Sequence, residues 1–262
     1  MNKLGKKKLT IIGVGHLGNA LLKGLIDSGI NRRNIILSNK SEENKNAVLN
    51  TDTVLIAVKP FVVKQVLSEL RSIAKDKLII SVAAGVSTAQ IQIYLDNVNQ
   101  KIIRLMPNIA ISCNKGIIGF YANKNVSRNE KNKIKKLLSS LGLIIEVTNE
   151  EEINKLTVIS ACAPGIVAYL IELFSANAKN LGIPLEQADQ IALQTFSGTI
   201  DYLISTANTA KSLEKSVSTK GGITEVILKS LRNSEFDVIF TQSLNKGYSK
   251  IKDLERKIRS KK

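Results

Sequence analysis

The stretch Leu9–Gly18, L-T-I-I-G-V-G-H-L-G, constrains the fold more than any other part of this chain. An apolar run enters three glycines spaced G-x-G-x-x-G, and Ala20, Leu21, Leu22 and Leu25 follow at helical spacing. A buried strand turning sharply into a helix needs this pattern. Gly13 makes the turn, Gly15 lets a pyrophosphate approach the backbone, and Gly18 lets helix and strand pack closely. The backbone around Val14, His16 and Leu17 then presents the free N–H groups of a helix start to phosphates. The stretch predicts a dinucleotide site.

The first half continues as alternating strands and helices. Strands are expected over Leu9–Ile12, Asn34–Leu37, Thr53–Val58, Leu78–Ala83, Lys101–Leu105 (halted by Met106-Pro107), Gly116–Tyr121 and Leu143–Val147. Helical spacing covers Leu17–Ser28, Phe61–Ile73, Thr88–Leu95 and Asn129–Leu141, while Ser41–Leu49 is polar and brief. Such alternation predicts a mostly parallel sheet covered on both faces. After Thr148 the strands stop. A long helical pattern over Glu150–Asn180 is expected to kink at Pro164-Gly165. Helices over Leu185–Thr206, Ile223–Leu231 and Glu235–Lys257 follow, with a loop at Ser218–Gly222. The expected class is α/β: a Rossmann-type dinucleotide-binding domain over residues 1–149, then an all-helical domain over 150–262. So many apolar positions in a small helical domain point to burial against a second subunit.

A formal charge of +16 raises the question of nucleic acid. Aromatics are only 4% of the chain and the basic residues are spread along it, so no nucleic-acid partner is expected. The densest cluster is Lys250, Lys252, Arg256, Lys257, Arg259, Lys261 and Lys262, near Asp253 and Glu255, which reads as a solvated helix face and frayed tail. Cys113 and Cys162 make no disulfide framework, and one histidine, His16, leaves little for a metal site, so no metal is expected. The basic start M-N-K-L-G-K-K-K precedes no signal-type apolar region. Val158–Phe174 holds Ser160, Pro164, Gly165 and Glu172 and falls short of a clean spanning segment. A cytoplasmic protein with no membrane partner is expected.

The tip of the second strand distinguishes the nicotinamide cofactors, since a carboxylate there holds the ribose 2′-hydroxyl of NAD and a basic or small polar group admits the 2′-phosphate of NADP. Here the tip is Ser38-Asn39-Lys40, which favours NADPH, with NADH the alternative. Ala57-Val58-Lys59-Pro60 and Ser81-Val82-Ala83-Ala84-Gly85 should also reach the crevice at the carboxyl ends of the strands. Small residues there leave room for ribose and nicotinamide.

Taken in order, these motifs resemble the pyrroline-5-carboxylate reductase family over nearly the whole chain. G-V-G-H-L-G stands where the family has G-x-G-N-M, and A-V-K-P at Ala57–Pro60 matches identically. S-V-A-A-G-V at Ser81–Val86 and R-L-M-P-N at Arg104–Asn108 follow. L-T-V-I-S-A-C-A-P-G at Leu156–Gly165 stands for T-x-x-S-G-S-G-P-A, and V-S-T-K-G-G-I-T at Val217–Thr224 for V-x-S-P-G-G-x-T. There are departures. His16 and Leu17 replace Asn-Met, Ala161-Cys162-Ala163 replaces Gly-Ser-Gly, and Lys220 replaces a proline. The segment from Lys40 to Thr53 is short, as if lacking a full second crossover helix and third strand.

The resemblance implies reduction of 1-pyrroline-5-carboxylate, a cyclic imine bearing a carboxylate, to L-proline. Thr224 is then the residue whose hydroxyl bonds the ring nitrogen and delivers the proton. Gly221, Gly222 and Ile223 offer helix-start amides to the carboxylate, and Thr219 adds a hydroxyl. Met106, Pro107 and Asn108 line the nicotinamide slot, and either Glu150 or Glu151 matches an acid preceding the long helix. Cys162 reads as a small buried residue. The family's helical domains intertwine, implying a homodimer or a higher homo-oligomer in which one subunit's loop completes its partner's site. Three alternatives stand beside this reading: a reductase of another cyclic imine, a hydroxyacid dehydrogenase using Lys155, and a non-catalytic nucleotide-binding relative.

Overall fold

The computed structural model describes residues 9–260; the basic start and Lys261-Lys262 of the basic tail lie outside the described residues. Seven strands form one sheet: β1 Leu9–Ile12, β2 Ile35–Ser38, β3 Thr53–Ile56, β4 Leu78–Ser81, β5 Lys101–Pro107, β6 Gly116–Ala122 and β7 Gly142–Glu146. Their order is β2-β1-β3-β4-β5-β6-β7. Every pairing is parallel except β5 with β6. Helices α1 His16–Asp27, α2 Ser41–Leu49, α3 Val63–Leu70, α4 Thr88–Leu95 and α5 Arg128–Leu138 fall between the strands. After β7 the described chain is helical: α6 Glu151–Leu156, α7 Ala163–Asn180, α8 Leu185–Thr206, α9 Ala210–Val217, α10 Ile223–Asn233 and α11 Phe236–Ser260. This is the α/β class read from the sequence.

The central strands are apolar throughout because both faces of the sheet are covered. Successive residues point to opposite faces. Leu9 and Ile11 join Leu55, Ile80 and Ile103 against Leu21 and Leu25 of α1 and Leu137 of α5. Ile12 joins Val54, Ile56 and Ile79 against Leu67 of α3 and Ile91 of α4.

The structure departs from the sequence reading in several places. Ser41–Leu49 forms a nine-residue helix, and β3 lies on the side of β1 away from β2, leaving β2 at the sheet edge. Strand β5 does not stop at Leu105 but runs to Pro107, because β6 pairs antiparallel with it through Pro107 and Ile118. The irregularity expected at Pro164 falls earlier, as a π-helical turn at Thr157–Ala161 in which the Cys162 N–H donates to Thr157 O at 3.0 Å. Cys162, expected to be buried, is exposed. Helix α9 occupies a stretch to which the sequence pattern assigned no element; the Thr209 hydroxyl caps it by accepting from Ser212 N–H. The basic tail is not simply a solvated face, since Ile251, Glu255 and Ile258 of α11 are buried.

The chain divides into two compact units. One runs to Pro164 and takes in the chain from Gly247 onward; the other is Gly165–Lys246. The first helical residues after β7 and the end of α11 thus belong with the sheet. In the second unit Ala188 and Ala192 are buried, while Phe174, Leu193, Ile204, Val226 and Ile239 are exposed. By length and composition alone, the helical run Glu151–Asn180 reaches what a membrane-spanning helix requires.

Candidate functional site

The glycine turn after β1 is dictated by contact. Gly13 has φ +94°, and a Cβ there would stand 2.7 Å from the Ala57 carbonyl oxygen. A Cβ on Gly18 would overlap the carbonyl of Gly13. Gly15 has nothing within 4 Å of a Cβ position. Packing therefore requires glycine at 13 and 18 but not at 15, where the backbone faces open space. No side chain caps α1, so the amides of His16, Leu17 and Gly18 begin the helix without side-chain partners. This open turn fits a pyrophosphate.

The tip of β2 is tied to that turn. Gly13 N–H donates to Ser38 O at 2.9 Å and Val14 N–H to Asn39 Oδ1 at 2.7 Å. Ser38 is buried, and its hydroxyl donates to Asn44 Oδ1 at 2.7 Å. The exposed side chains at this tip are those of Asn39 and Lys40. Gly13, Asn39 and Val58 meet around a cavity of about 110 Å³, with Asn44 and Val62 also in its wall. Ala57 N–H continues the ladder to Ile12 O at 2.8 Å, and Pro60 opens a short 3₁₀ turn after Lys59. After β4, Val82 and Ala83 are buried, Ala84 is half-buried, and Gly85 has φ +72°.

The Arg104–Asn108 motif turns inward. Arg104 is 1% exposed and its Nη1 donates to Glu150 Oε1 at 2.8 Å. Glu150 also accepts from Thr88 N–H at 2.7 Å and from the Thr88 hydroxyl at 2.8 Å. Burial, reinforced by Glu150 and opposed by Arg104, pushes the nearby Tyr121 hydroxyl above its ordinary range. Met106, Pro107 and Asn108 are all buried. The Asn108 side chain accepts from Ile117 N–H at 3.2 Å and donates to Ser160 O at 3.4 Å. Both ends of that side chain are engaged by protein, so it brackets two segments.

The loop before α10 is described by itself. Gly222 N–H donates to Thr219 O at 2.9 Å, and Gly221 has φ +75°, which makes a type II turn. Proline is favoured at the second place of such a turn, but other residues are accepted there, and Lys220 occupies it. Gly221 N–H donates to Glu225 Oε2 at 2.6 Å. The two glycine amides expected to receive a carboxylate thus each have a partner within the loop, Thr219 O and Glu225. That leaves the amides of Ile223 and Thr224 at the helix start. The Gly221 amide, then Lys229, hold the Glu225 carboxyl below its ordinary range. Among the described residues the Thr224 hydroxyl has no hydrogen-bond partner, and it lies in the wall of a cavity of about 680 Å³ with Thr199, Tyr202, Leu213 and Leu228. Thr219 is exposed.

Known proteins share both parts of the chain. A family model described as "Pyrroline-5-carboxylate reductase dimerisation" matches residues 150–254, and one described as "NADP oxidoreductase coenzyme F420-dependent" matches residues 8–85. The pyrroline-5-carboxylate reductase of Synechocystis is 30% identical over 217 residues, covering 83% of this chain and 80% of that protein. The chain belongs to the pyrroline-5-carboxylate reductase family. Its relative from Pseudomonas aeruginosa is 27% identical and covers 96% of this chain and 98% of its own. Among solved reductases, that of Plasmodium falciparum with NADP bound superposes with a TM-score of 0.89 at 26% identity, covering 96% of this chain and 99% of that one. The reductase of Coxiella burnetii gives 0.85 at 28%, covering 95% and 99%.

Three residues of the candidate site escaped the sequence. Thr88 was placed only as a helix start, and Asn44 lay in the segment read as merely polar. Glu225 carried a usable signal, since an acid in the first turn of a helix following two glycines is placed to bond their amides.

Proposed function

We propose that this protein reduces 1-pyrroline-5-carboxylate to L-proline, using NADPH in preference to NADH. The observation that carries the reading is the unengaged Thr224 hydroxyl at the start of α10, in a chain of the reductase family. The bound dinucleotide supplies the hydride. The imine carbon accepts that hydride while the ring nitrogen acquires a proton, giving a secondary amine. Thr224 holds the ring nitrogen through its hydroxyl and delivers the proton as a relay, taking one from solvent as it gives one up. The amides of Ile223 and Thr224, helped by the α10 dipole and the Thr219 hydroxyl, receive the ring carboxylate.

On this reading residues 1–149 bind the dinucleotide and 150–262 bind substrate and dimerise. The pyrophosphate lies at Gly13, Gly15 and Gly18, and the 2′-phosphate of NADP lies by Asn39 and Lys40. A NADP-bound relative from Plasmodium falciparum supports a nicotinamide dinucleotide. The exposed apolar residues of Gly165–Lys246 support a homodimer, since a soluble protein seldom leaves so much apolar surface uncovered. A second copy covering α7 also explains its apolar composition without a membrane, consistent with action in the cytoplasm.

Steady-state assays with NADPH and NADH against five- and six-membered cyclic imines test this. NADPH consumption with 1-pyrroline-5-carboxylate, faster than with the six-membered ring, is expected. No consumption would sink the reading. Full turnover by Thr224→Ala would remove Thr224 from the proton step.

A further inference from the structure

Glu150 and Glu151 are adjacent, and each bonds a different element: Glu150 the start of α4 and Glu151 helix α11. Glu150 accepts from the amide and hydroxyl of Thr88, fixing the point where the turn after β4 enters α4. Glu151 faces the end of α11, accepting from the Tyr248 hydroxyl and from Lys252 Nζ at 2.6 Å. Asn154, 1% exposed, donates to Glu151 at 3.1 Å and to Glu255 at 2.8 Å. These bonds fix the height of α11, and Leu254 of the same helical turn lies over Gly85. A Cβ on Gly85 would stand 3.0 Å from Leu254 Cγ. Leu254 packs on the apolar cluster that contains Ala83 and Val86.

The turn is tied at its start, where Val82 N–H donates to Ile56 O at 3.1 Å and Ala83 N–H to Ser81 Oγ at 3.3 Å. It is tied at its far end by Glu150 on Thr88, so Ala84 and Gly85 are its middle. Ala83, Ala84 and Gly85 are small, and Gly85 has a left-handed backbone. A turn of this kind takes its position from what packs behind it. We propose that the single turn of α11 carrying Leu254 braces Val82–Gly85 in the conformation that binds the nicotinamide dinucleotide, with Leu254 as the positioning residue and the Glu151–Lys252 pair setting its height. The inference rests on the dinucleotide reading of Val82, Ala83 and Ala84. The chain's C-terminal helix thereby tunes cofactor affinity without touching the cofactor.

The test uses the full chain, with Leu254→Ala, Leu254→Met, Lys252→Met and Ile258→Ala. Ile258 is buried in the same cluster one turn further on, so it controls for lost packing alone. Direct NADPH titration, the KM for the imine and hydrogen exchange of the amides at 82–87 are measured for each. Leu254→Ala should weaken NADPH binding about fivefold or more, as expected when the support behind a binding turn is removed. It should speed exchange at 83–86 and leave the imine KM within about twofold. Lys252→Met should show the same pattern more weakly, Leu254→Met should bind normally, and Ile258→Ala should lose stability without losing NADPH. Unchanged NADPH binding in Leu254→Ala, or an equal loss in Ile258→Ala, overturns the brace while the dinucleotide reading stands. Failure of the unaltered protein to bind NADPH overturns that reading and the brace with it.

Discussion

The side-chain amide of Asn108 donates to the carbonyl of Ser160 at 3.4 Å, joining two motifs that lie far apart in the chain. In an uninterrupted α-helix the N–H of residue 164 would serve that carbonyl, and Pro164 has none to offer. The same proline ring crowds the carbonyl four residues back, which accounts for the π-helical turn at Thr157–Ala161 just before α7. Asn108 and Pro164 are therefore complementary: one removes a donor and the other replaces it.

Asn108→Ala should destabilise the protein by about 2 kcal/mol, because it strips hydrogen bonds from Ser160 O and Ile117 N–H, both in protein surroundings. Asn108→Asp keeps the acceptor for Ile117 but turns a buried carboxylate on the Ser160 carbonyl, and should cost at least as much. Urea unfolding midpoints at constant slope check both.

Gly15 and Gly18 should separate fold from binding. Gly18→Ala drives a methyl into the Gly13 carbonyl and should lower the melting temperature by several degrees or prevent folding. Gly15→Ala meets nothing within 4 Å, so its melting temperature should match that of the unaltered protein. If the pyrophosphate lies there, the added methyl occupies its space and NADPH binding should be lost. Thermal melts beside NADPH titrations decide the matter.

Glu130 sets an acid limit on α5. Burial works to raise its carboxyl, but hydrogen bonds from Lys101 and from the hydroxyl and amide of Ser127 outweigh burial and bring it to about 2, against an ordinary 4.5. A carboxyl depressed on folding adds stability that is fully present above its unfolded value and is lost as pH falls through the folded one. The stability gap between the unaltered protein and Glu130→Gln should therefore be constant above about pH 5 and close towards about pH 2. Chemical unfolding of both across that range measures it.

The sheet was legible because a strand buried on both faces must be apolar throughout, and Leu9–Ile12 and Leu78–Ser81 are. Helix α2 was not, because beside the edge strand it buries little beyond Asn44, Ala47 and Val48 and needs no apolar stripe. The kink was placed at Pro164 although its effect falls on the carbonyl four residues earlier. Gly13 and Gly18 were readable because backbone contact leaves no alternative residue. The direction of the Ser38 hydroxyl, the inward bonds of Asn108 and the capture of the Gly221 amide by Glu225 were not readable. Each depends on a partner brought in by the fold. Glu150 and Glu151 look interchangeable in sequence, and only their opposite neighbours, Thr88 and Lys252, separate them.

Cofactor choice should turn on Asn39 and Lys40. Asn39 Oδ1 accepts from Val14 N–H at 2.7 Å, so Asn39→Asp keeps that acceptor while adding a negative charge at the tip of β2. A carboxylate there suits a ribose 2′-hydroxyl and repels a 2′-phosphate. Lys40 is exposed beside it, and Lys40→Ala removes the nearest cation on this tip. Asn39→Asp should lower kcat/KM for NADPH by about tenfold or more and leave or raise that for NADH. Lys40→Ala should weaken NADPH alone, by a smaller factor that shrinks further as salt screens the exposed charge. The ratio of kcat/KM for the two cofactors, measured at low and at physiological ionic strength, reports both effects. An unchanged ratio in Asn39→Asp would place the 2′-phosphate away from the tip of β2.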